Sequence, residues 1–223
     1  SDIGIATLLP KLAESLQVLS LSDCTLLTRR GLATIGAADH ALSRLRVLNL
    51  SGCPGLTDAC LRGMVPSLPL LEDLNVSRCA GVADGGVKAA VTQCPHLWRL
   101  HVSDCPGVTD GVLMAMARHT GTAPATSHLQ RTTDAAATTG NTSGGGGTDA
   151  HQSLALRDVS MAGCGALTTA GLSLLFRSCP RLETLDLSRA LRAVTDMAMQ
   201  NTFSRKVVWG RARDRGCPRL RTV

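Results

Sequence analysis

Tyrosine is absent from this sequence, and only four aromatic rings occur in it: Phe176, Phe203, Trp98 and Trp209. With aromatics at 2%, the core must be aliphatic, and a surface that reads bases by stacking them on rings is disfavoured. Long apolar runs are missing too. None approaches the ~18 residues of a membrane span, and no basic start followed by an apolar stretch marks a secretory leader. No membrane partner is expected, and the chain reads as intracellular, cytoplasmic or nuclear. Charge is sparse at 18%, whereas 44% of residues are hydrophobic, enough to bury a core.

The signatures of chemistry are missing as well. GxSxG, the P-loop, the dinucleotide fingerprint and HExxH do not occur. The six histidines (His40, His96, His101, His119, His128 and His151) join no Cys/His quartet at zinc spacing. Nine cysteines contain no CxxC pair, and an odd count does not suit a closed disulfide framework. The reading is a non-enzyme without cofactor or metal, its cysteines being buried thiols in a reducing compartment.

What the chain has in abundance is leucine, 34 residues of it, and the leucines recur. Taking the first leucine of each unit as offset 0, Leu16, Leu19, Leu21, Cys24, Leu27 and Thr28 fall at offsets 0, 3, 5, 8, 11 and 12. The same offsets hold Leu45, Leu48, Leu50, Cys53, Leu56 and Thr57, then Leu71, Leu74, Val76, Cys79, Val82 and Ala83. They recur as Leu97, Leu100, Val102, Cys105, Val108 and Thr109, and as Leu156, Val159, Met161, Cys164, Leu167 and Thr168. A sixth copy has Leu182, Leu185 and Leu187, with Ala190 in place of the cysteine and Val194 and Thr195 delayed by one residue. Offset 16 is apolar in the five clean copies, at Leu32, Leu61, Val87, Leu113 and Leu172.

Offsets 3 and 5 alternate as a short strand does, which turns both inward and leaves offsets 2, 4 and 6 outward. At offset 8 the chain turns away from the strand, and a small apolar thiol fits inside that corner. From offset 13 the spacing becomes helical, as in Leu172, Leu175 and Phe176. Each unit of about 26 residues is thus one strand and one helix, too small to stand alone, and stable only when stacked into a solenoid with a parallel sheet along one side. Cys94, Cys179 and Cys217 each precede a proline and should close the helix-to-strand turn, while Cys60 alone stands off the ladder.

The pattern LxxLxL-S-x-C-xx-(L/V)-T resembles the cysteine-containing leucine-rich repeats of F-box/leucine-rich-repeat proteins and their relatives. The resemblance implies an α/β leucine-rich-repeat horseshoe, with the parallel β-sheet on the concave side and helices on the convex side. It also implies protein binding, as the substrate-recognition region of an F-box-type ubiquitin-ligase adaptor. No F-box-like helical segment lies within these 223 residues, so Skp–cullin components would be met through a region outside this chain. The rival role is a structural subunit of a large stable assembly, such as a flagellar regulatory complex or a ribonucleoprotein.

Residues 1–223 read as a single array cut mid-repeat at both ends. Ser1 to Ile5 align with Thr28 to Leu32, and Leu220 to Val223 align with the start of another strand. Neighbouring chain or subunits would then cover the ends, unless Pro10–Ser15 and the terminal arginines serve as caps. Two insertions break the period. Residues 119–150, with nine threonines and the run Gly144–Gly147, read as a flexible loop. Residues 203–219 are basic: Arg205, Lys206, Arg211, Arg213, Arg215 and Arg219, with Arg221 just beyond, stand against Asp214 alone and carry the whole formal excess of +6. Such a stretch is either a solvated loop or a contact for an acidic protein or RNA.

The outward positions form columns. Offset 4 reads Ser20, Asn49, Asn75, His101, Ser160 and Asp186; offset 6 reads Ser22, Ser51, Ser77, Ser103, Ala162 and Ser188. Small serines would let a partner's backbone approach, and charge gathers at Asp73, Arg78, Arg99, Asp104, Asp158 and Arg189. With Asn75, His101, Asp186 and Trp98, these make the candidate partner-binding face, a mixed-charge surface whose electrostatic pairs set orientation. Trp98, at the sheet edge, is the best candidate for a hot spot.

Overall fold

The computed structural model describes residues 1–36, 42–119 and 155–190. Six three-residue strands, β1 (Val18–Ser20), β2 (Val47–Asn49), β3 (Asp73–Asn75), β4 (Arg99–His101), β5 (Asp158–Ser160) and β6 (Thr184–Asp186), form one parallel sheet in sequential order. Helices α1 (Asp2–Leu12), α2 (Arg29–Ala33), α3 (Asp58–Met64), α4 (Asp84–Gln93), α5 (Asp110–His119) and α6 (Thr169–Ser178) alternate with them. This is a leucine-rich-repeat solenoid, one coil per repeat. Leu48 lies opposite Leu74, Leu74 opposite Leu100, and Leu100 opposite Val159, so the register holds between coils 4 and 5 despite the 33 extra residues in the sequence there. The insertion 119–150 beyond His119, and the basic insertion 203–219, lie outside the described residues.

The repeat positions are the core. At offsets 0, 3, 5, 8, 11 and 16, coils 2 to 5 are buried throughout, as with Leu45, Leu74, Val102, Cys105 and Leu172. Coil 1 is covered less: Leu16, Leu19, Leu21 and Cys24 are partly buried, and Ile3, Leu8, Leu12, Val18 and Leu26 are exposed. Pro10 sits inside α1. Among the described residues no helix is long and apolar enough to cross a membrane.

The corner cysteine fills space and also bonds. Its thiol donates to the offset-5 carbonyl of the preceding coil: Cys53 to Leu21 (3.0 Å), Cys79 to Leu50 (3.2 Å), Cys105 to Val76 (3.3 Å) and Cys164 to Val102 (3.1 Å). Ala190 is equally buried in the sixth corner, so the space must be filled even where no thiol is present. Cys94 and Cys179 end α4 and α6 as expected. Their N–H groups bond back to Ala90 and Leu175, and their carbonyls accept the amides of Leu97 and Leu182.

A second ladder, on the helical side, joins the coils. Threonine at offset 12 caps its helix, as Thr168 does by accepting from the Gly171 amide at 3.2 Å. A carboxylate at offset 13, the first residue of the helix, reaches the capping residue of the next coil. Asp84 accepts from the Thr109 amide at 2.7 Å and its hydroxyl at 2.5 Å; Asp58 accepts from the Ala83 amide at 2.7 Å. Asp110 holds the amide and hydroxyl of Thr168, and Asp2 those of Thr28. The carboxylate needs room. A Cβ on Gly31 would lie 2.2 Å from Asp2 Oδ1, and one on Gly171 would lie 2.1 Å from Asp110 Oδ1. Coil 1 carries Arg29 instead of an aspartate at offset 13, and there the facing residue in coil 2 is Cys60, not glycine. That explains the cysteine off the ladder: its site has no carboxylate to accommodate, and its thiol lies 3.8 Å from the Arg29 carbonyl.

The Thr28 hydroxyl and amide hold the Asp2 carboxyl below its usual 3.8. A depressed folded value means the contact stabilises above the unfolded value and is lost as pH falls through the folded one. Acidification below about 3.8 should therefore loosen α1 while the coils after it persist. Hydrogen exchange at Ile5 and Leu9, compared at pH 5 and pH 3, checks this; equal protection at both would disprove it.

Candidate functional site

The sheet face is charged but internally satisfied. Arg99, on β4, lies between Asp73 (3.2 Å) and Asp158 (3.1 Å) on the flanking strands, and its guanidinium covers the Trp98 ring at 4.3 Å from the centroid. Trp98, half-buried, accepts the amides of Arg157 and Asp158 at its carbonyl. On either side of it in the offset-1 column, Arg46 pairs with Glu72, and Arg157 with Glu183 at 3.4 Å.

Offset 7 forms a column that the outward alternation did not single out: Asp23, Gly52, Arg78, Asp104, Gly163 and Arg189. All six have a left-handed backbone, with φ between 55° and 70°, because the coil bends sharply there before the buried cysteine. Aspartate, glycine and arginine then repeat twice along the stack. Arg78 reaches across Gly52 to Asp23 (3.0 Å), and Arg189 reaches across Gly163 to Asp104 (3.1 Å). A Cβ on Gly52 would lie 2.2 Å from Asp23 Oδ1, and one on Gly163 would lie 2.1 Å from Asp104 Oδ1. Glycine serves twice here, adopting the positive φ without strain and leaving a path for the ion pair above it.

The polar columns are likewise engaged. Asn75 accepts the Ser77 amide, and Asp186 the Ser188 amide, each at 3.0 Å, which fixes the chain as it leaves the strand. Ser103 and Ser160 share a hydrogen bond of 2.7 Å, and Ser160 reaches Asp186 at 3.3 Å. The structure thus gathers Asp73, Trp98, Arg99 and Asp158 into one cluster and joins Asn75 and Asp186 to their own turns. Arg78 pairs with Asp23, and Arg189 with Asp104, at the sheet's other rim. Asp23, Gly52 and Gly163 are the residues that sequence reasoning missed; writing out offset 7 as a column would have exposed them. Of the ten candidates, the side chains of His101 and of Trp98, which has its ring contact with Arg99, have neither a hydrogen bond nor an ion pair among the described residues. Thr184 Oγ1, opposite Asp158 in register, is buried and unpartnered among them. No group of three or more potential metal ligands is found among the described residues.

Surface ion pairs of this exposure each contribute about 0–1 kcal/mol. Their larger effect is on shape: they hold long side chains in one arrangement.

No protein-family model matches this sequence, and no curated protein matches it. Among solved structures, one that resembles it is the crystal structure of the Rad7 and Elc1 complex in yeast, at 17% identity and a TM-score of 0.40. The match covers 93% of this chain and 59% of that one. The chain therefore spans less than two thirds of the length of that protein. The solenoid assignment rests on the strand register and the repeat.

Proposed function

We propose that the chain is a non-catalytic protein-binding module whose sheet face receives a target protein, as the substrate-recognition region of an F-box-type ubiquitin-ligase adaptor. The observation that carries the reading is the central cluster, in which Trp98 lies under Arg99 and Arg99 is held by Asp73 and Asp158. An aromatic and an arginine immobilised in advance lose little freedom on binding, which is the composition and condition of an interface anchor. The ring nitrogens of His101 beside them have no partner among the described residues and are offered to a target. The repeat motif supplies the ligase context, and in that setting the protein acts inside the cell.

Affinity purification of the full-length protein with mass spectrometry tests this reading. Trp98→Ala should weaken capture of the principal partner by roughly tenfold or more, the loss expected of an anchor worth about 2 kcal/mol. Arg99→Ala should act in the same direction with the melting temperature nearly unchanged. Undiminished capture by both variants would remove the sheet face from consideration. Ligase components among the captured proteins would support the adaptor role. Co-sedimentation with a large particle would instead favour a structural subunit, a role suited by the local charge of +6 over the basic stretch, and salt-sensitive RNA binding would place that stretch on a nucleic acid.

A further inference from the structure

Charge in this molecule is sorted by face. The six close ion pairs among the described residues all lie on the sheet side. On the helical side the carboxylates Asp58, Asp84 and Asp110 are occupied by the capping residues of the next coil. On the same side Arg62, Lys88, Arg118 and Arg177, one on each of α3 to α6, have no ion pair among the described residues. They cross four successive helices as a stripe. Arg62, Arg118 and Arg177 stand in the last turns of their helices, where the helix dipole favours a cation, but that field leaves the outward donors free. Lys88 is within α4 and has no such explanation.

Between α4 and α5 this stripe borders a groove of about 560 Å³. Lys88 and Thr92 line one wall, and Met114, Ala115, Arg118 and His119 the other. Thr92 turns its hydroxyl onto the carbonyls of Lys88 and Ala89, so the polar character of the groove comes from its cations. Its apolar part is Met114, 42% exposed and the one exposed large hydrophobic among the described residues outside coil 1. Arg118 touches the Met114 thioether at 4.0 Å, joining the cationic rim to the apolar floor.

We propose that this groove docks an acidic segment of a protein partner, one that carries carboxylates for Lys88 and Arg118 and an apolar side chain for Met114. Charge complementarity selects the acid. The flexible thioether, a side chain that adapts to differing apolar shapes, selects a peptide over a bare polyanion. This second surface lies on the opposite side of the solenoid from the sheet face, so the two can be occupied together, and the proposal does not depend on what the sheet face binds.

The full chain, titrated with a fluorescent peptide bearing glutamate and leucine at helical spacing, tests it by anisotropy. Binding should weaken several-fold as ionic strength rises from about 0.05 to 0.3 M, and Lys88→Glu with Arg118→Glu should weaken it by about tenfold or more. Met114→Ser should weaken it about threefold while leaving the salt dependence unchanged. Neither change touches a core contact, and capture of the sheet-face partner by the same variants should stay as it was. The idea is overturned if the peptide fails to bind at low salt, if the double variant binds it equally well, or if duplex RNA binds more tightly than the peptide and is lost in that variant.

Discussion

Stability is expected to drop by several kcal/mol between pH 9 and pH 11, ahead of any general alkaline denaturation. Burial raises the thiols of Cys94 and Cys105 from the usual 9.0 to about 11, and that of Cys179 to about 12. Cys53, Cys79 and Cys164 move in the same direction, again chiefly through desolvation. Below pH 9 these thiols are protonated whether the chain is folded or not, so they add no pH dependence. Above it the unfolded chain releases protons that the folded chain retains, and stability falls with pH until the folded values are reached. Each thiol contributes about 1.4 kcal/mol per pH unit, so three of them together remove a large part of the roughly 5–15 kcal/mol available to a domain. The absence of tyrosine makes the measurement clean, since no phenolate absorbance overlaps the thiolate band. Urea melts from pH 7 to 10.5, followed by circular dichroism, should show the decline, with most of the thiolate absorbance rising as the helical signal is lost. The pair Cys94→Ala and Cys179→Ala should lower stability at pH 7 yet flatten the slope above pH 9. Thiolate absorbance from most of the nine cysteines in a chain that is still folded would refute it.

The second large effect is expected from one methyl group. Gly171→Ala places a Cβ 2.1 Å from Asp110 Oδ1, so the carboxylate must leave Thr168. In a helix the exchange would ordinarily gain about 0.5–1 kcal/mol through backbone entropy. Here it breaks two hydrogen bonds to a charged acceptor, worth about 1.5–3 kcal/mol each. The loss wins, and a net destabilisation of about 2–4 kcal/mol should follow. The control is Asp110→Ala: once the carboxylate is gone, the clash at Gly171 is relieved and Gly171→Ala should become neutral or mildly stabilising. Urea melts of the two single variants and the double variant close the cycle. Additive losses would mean that glycine is there for some reason other than the carboxylate. Coils 1 and 2 already show the combination, with Arg29 facing Cys60 where the neighbouring coils set aspartate against glycine.

Much of the site was legible in the residue pattern, and its gaps have physical causes. Offsets 2, 4 and 6 lie on the sheet face, because alternation along a strand is a local property of three or four residues, but stacking buries Ser51, Ser160 and Ala162 among them. Offset 7 gave up Arg78, Asp104 and Arg189 by their charge, but as a column it escaped, because its residues leave the strand in a left-handed turn that alternation does not describe. The aspartates at offset 13 escaped for a related reason: a first-turn carboxylate is ordinary in any helix, and its partner belongs to the next coil. Cys60 had no place in the cysteine ladder because the group that determines it, Arg29, is a neighbour only across the stack.

By itself the order of residues determined the coil, since inward leucines, a corner cysteine and a capping threonine recur at the same offsets from unit to unit down the chain. It also determined that coils must stack, since none can bury its apolar face alone. Only the tertiary structure decided which charges remain available. The sheet-side pairs join residues as far apart as 55 positions for Arg78 and Asp23 and 85 for Arg189 and Asp104, distances at which no local pattern couples them. Stacking brings these groups within contact, while on the helical side the cations of α3 to α6 stay unpaired among the described residues, because Asp58, Asp84 and Asp110 are already bound to the coil that follows.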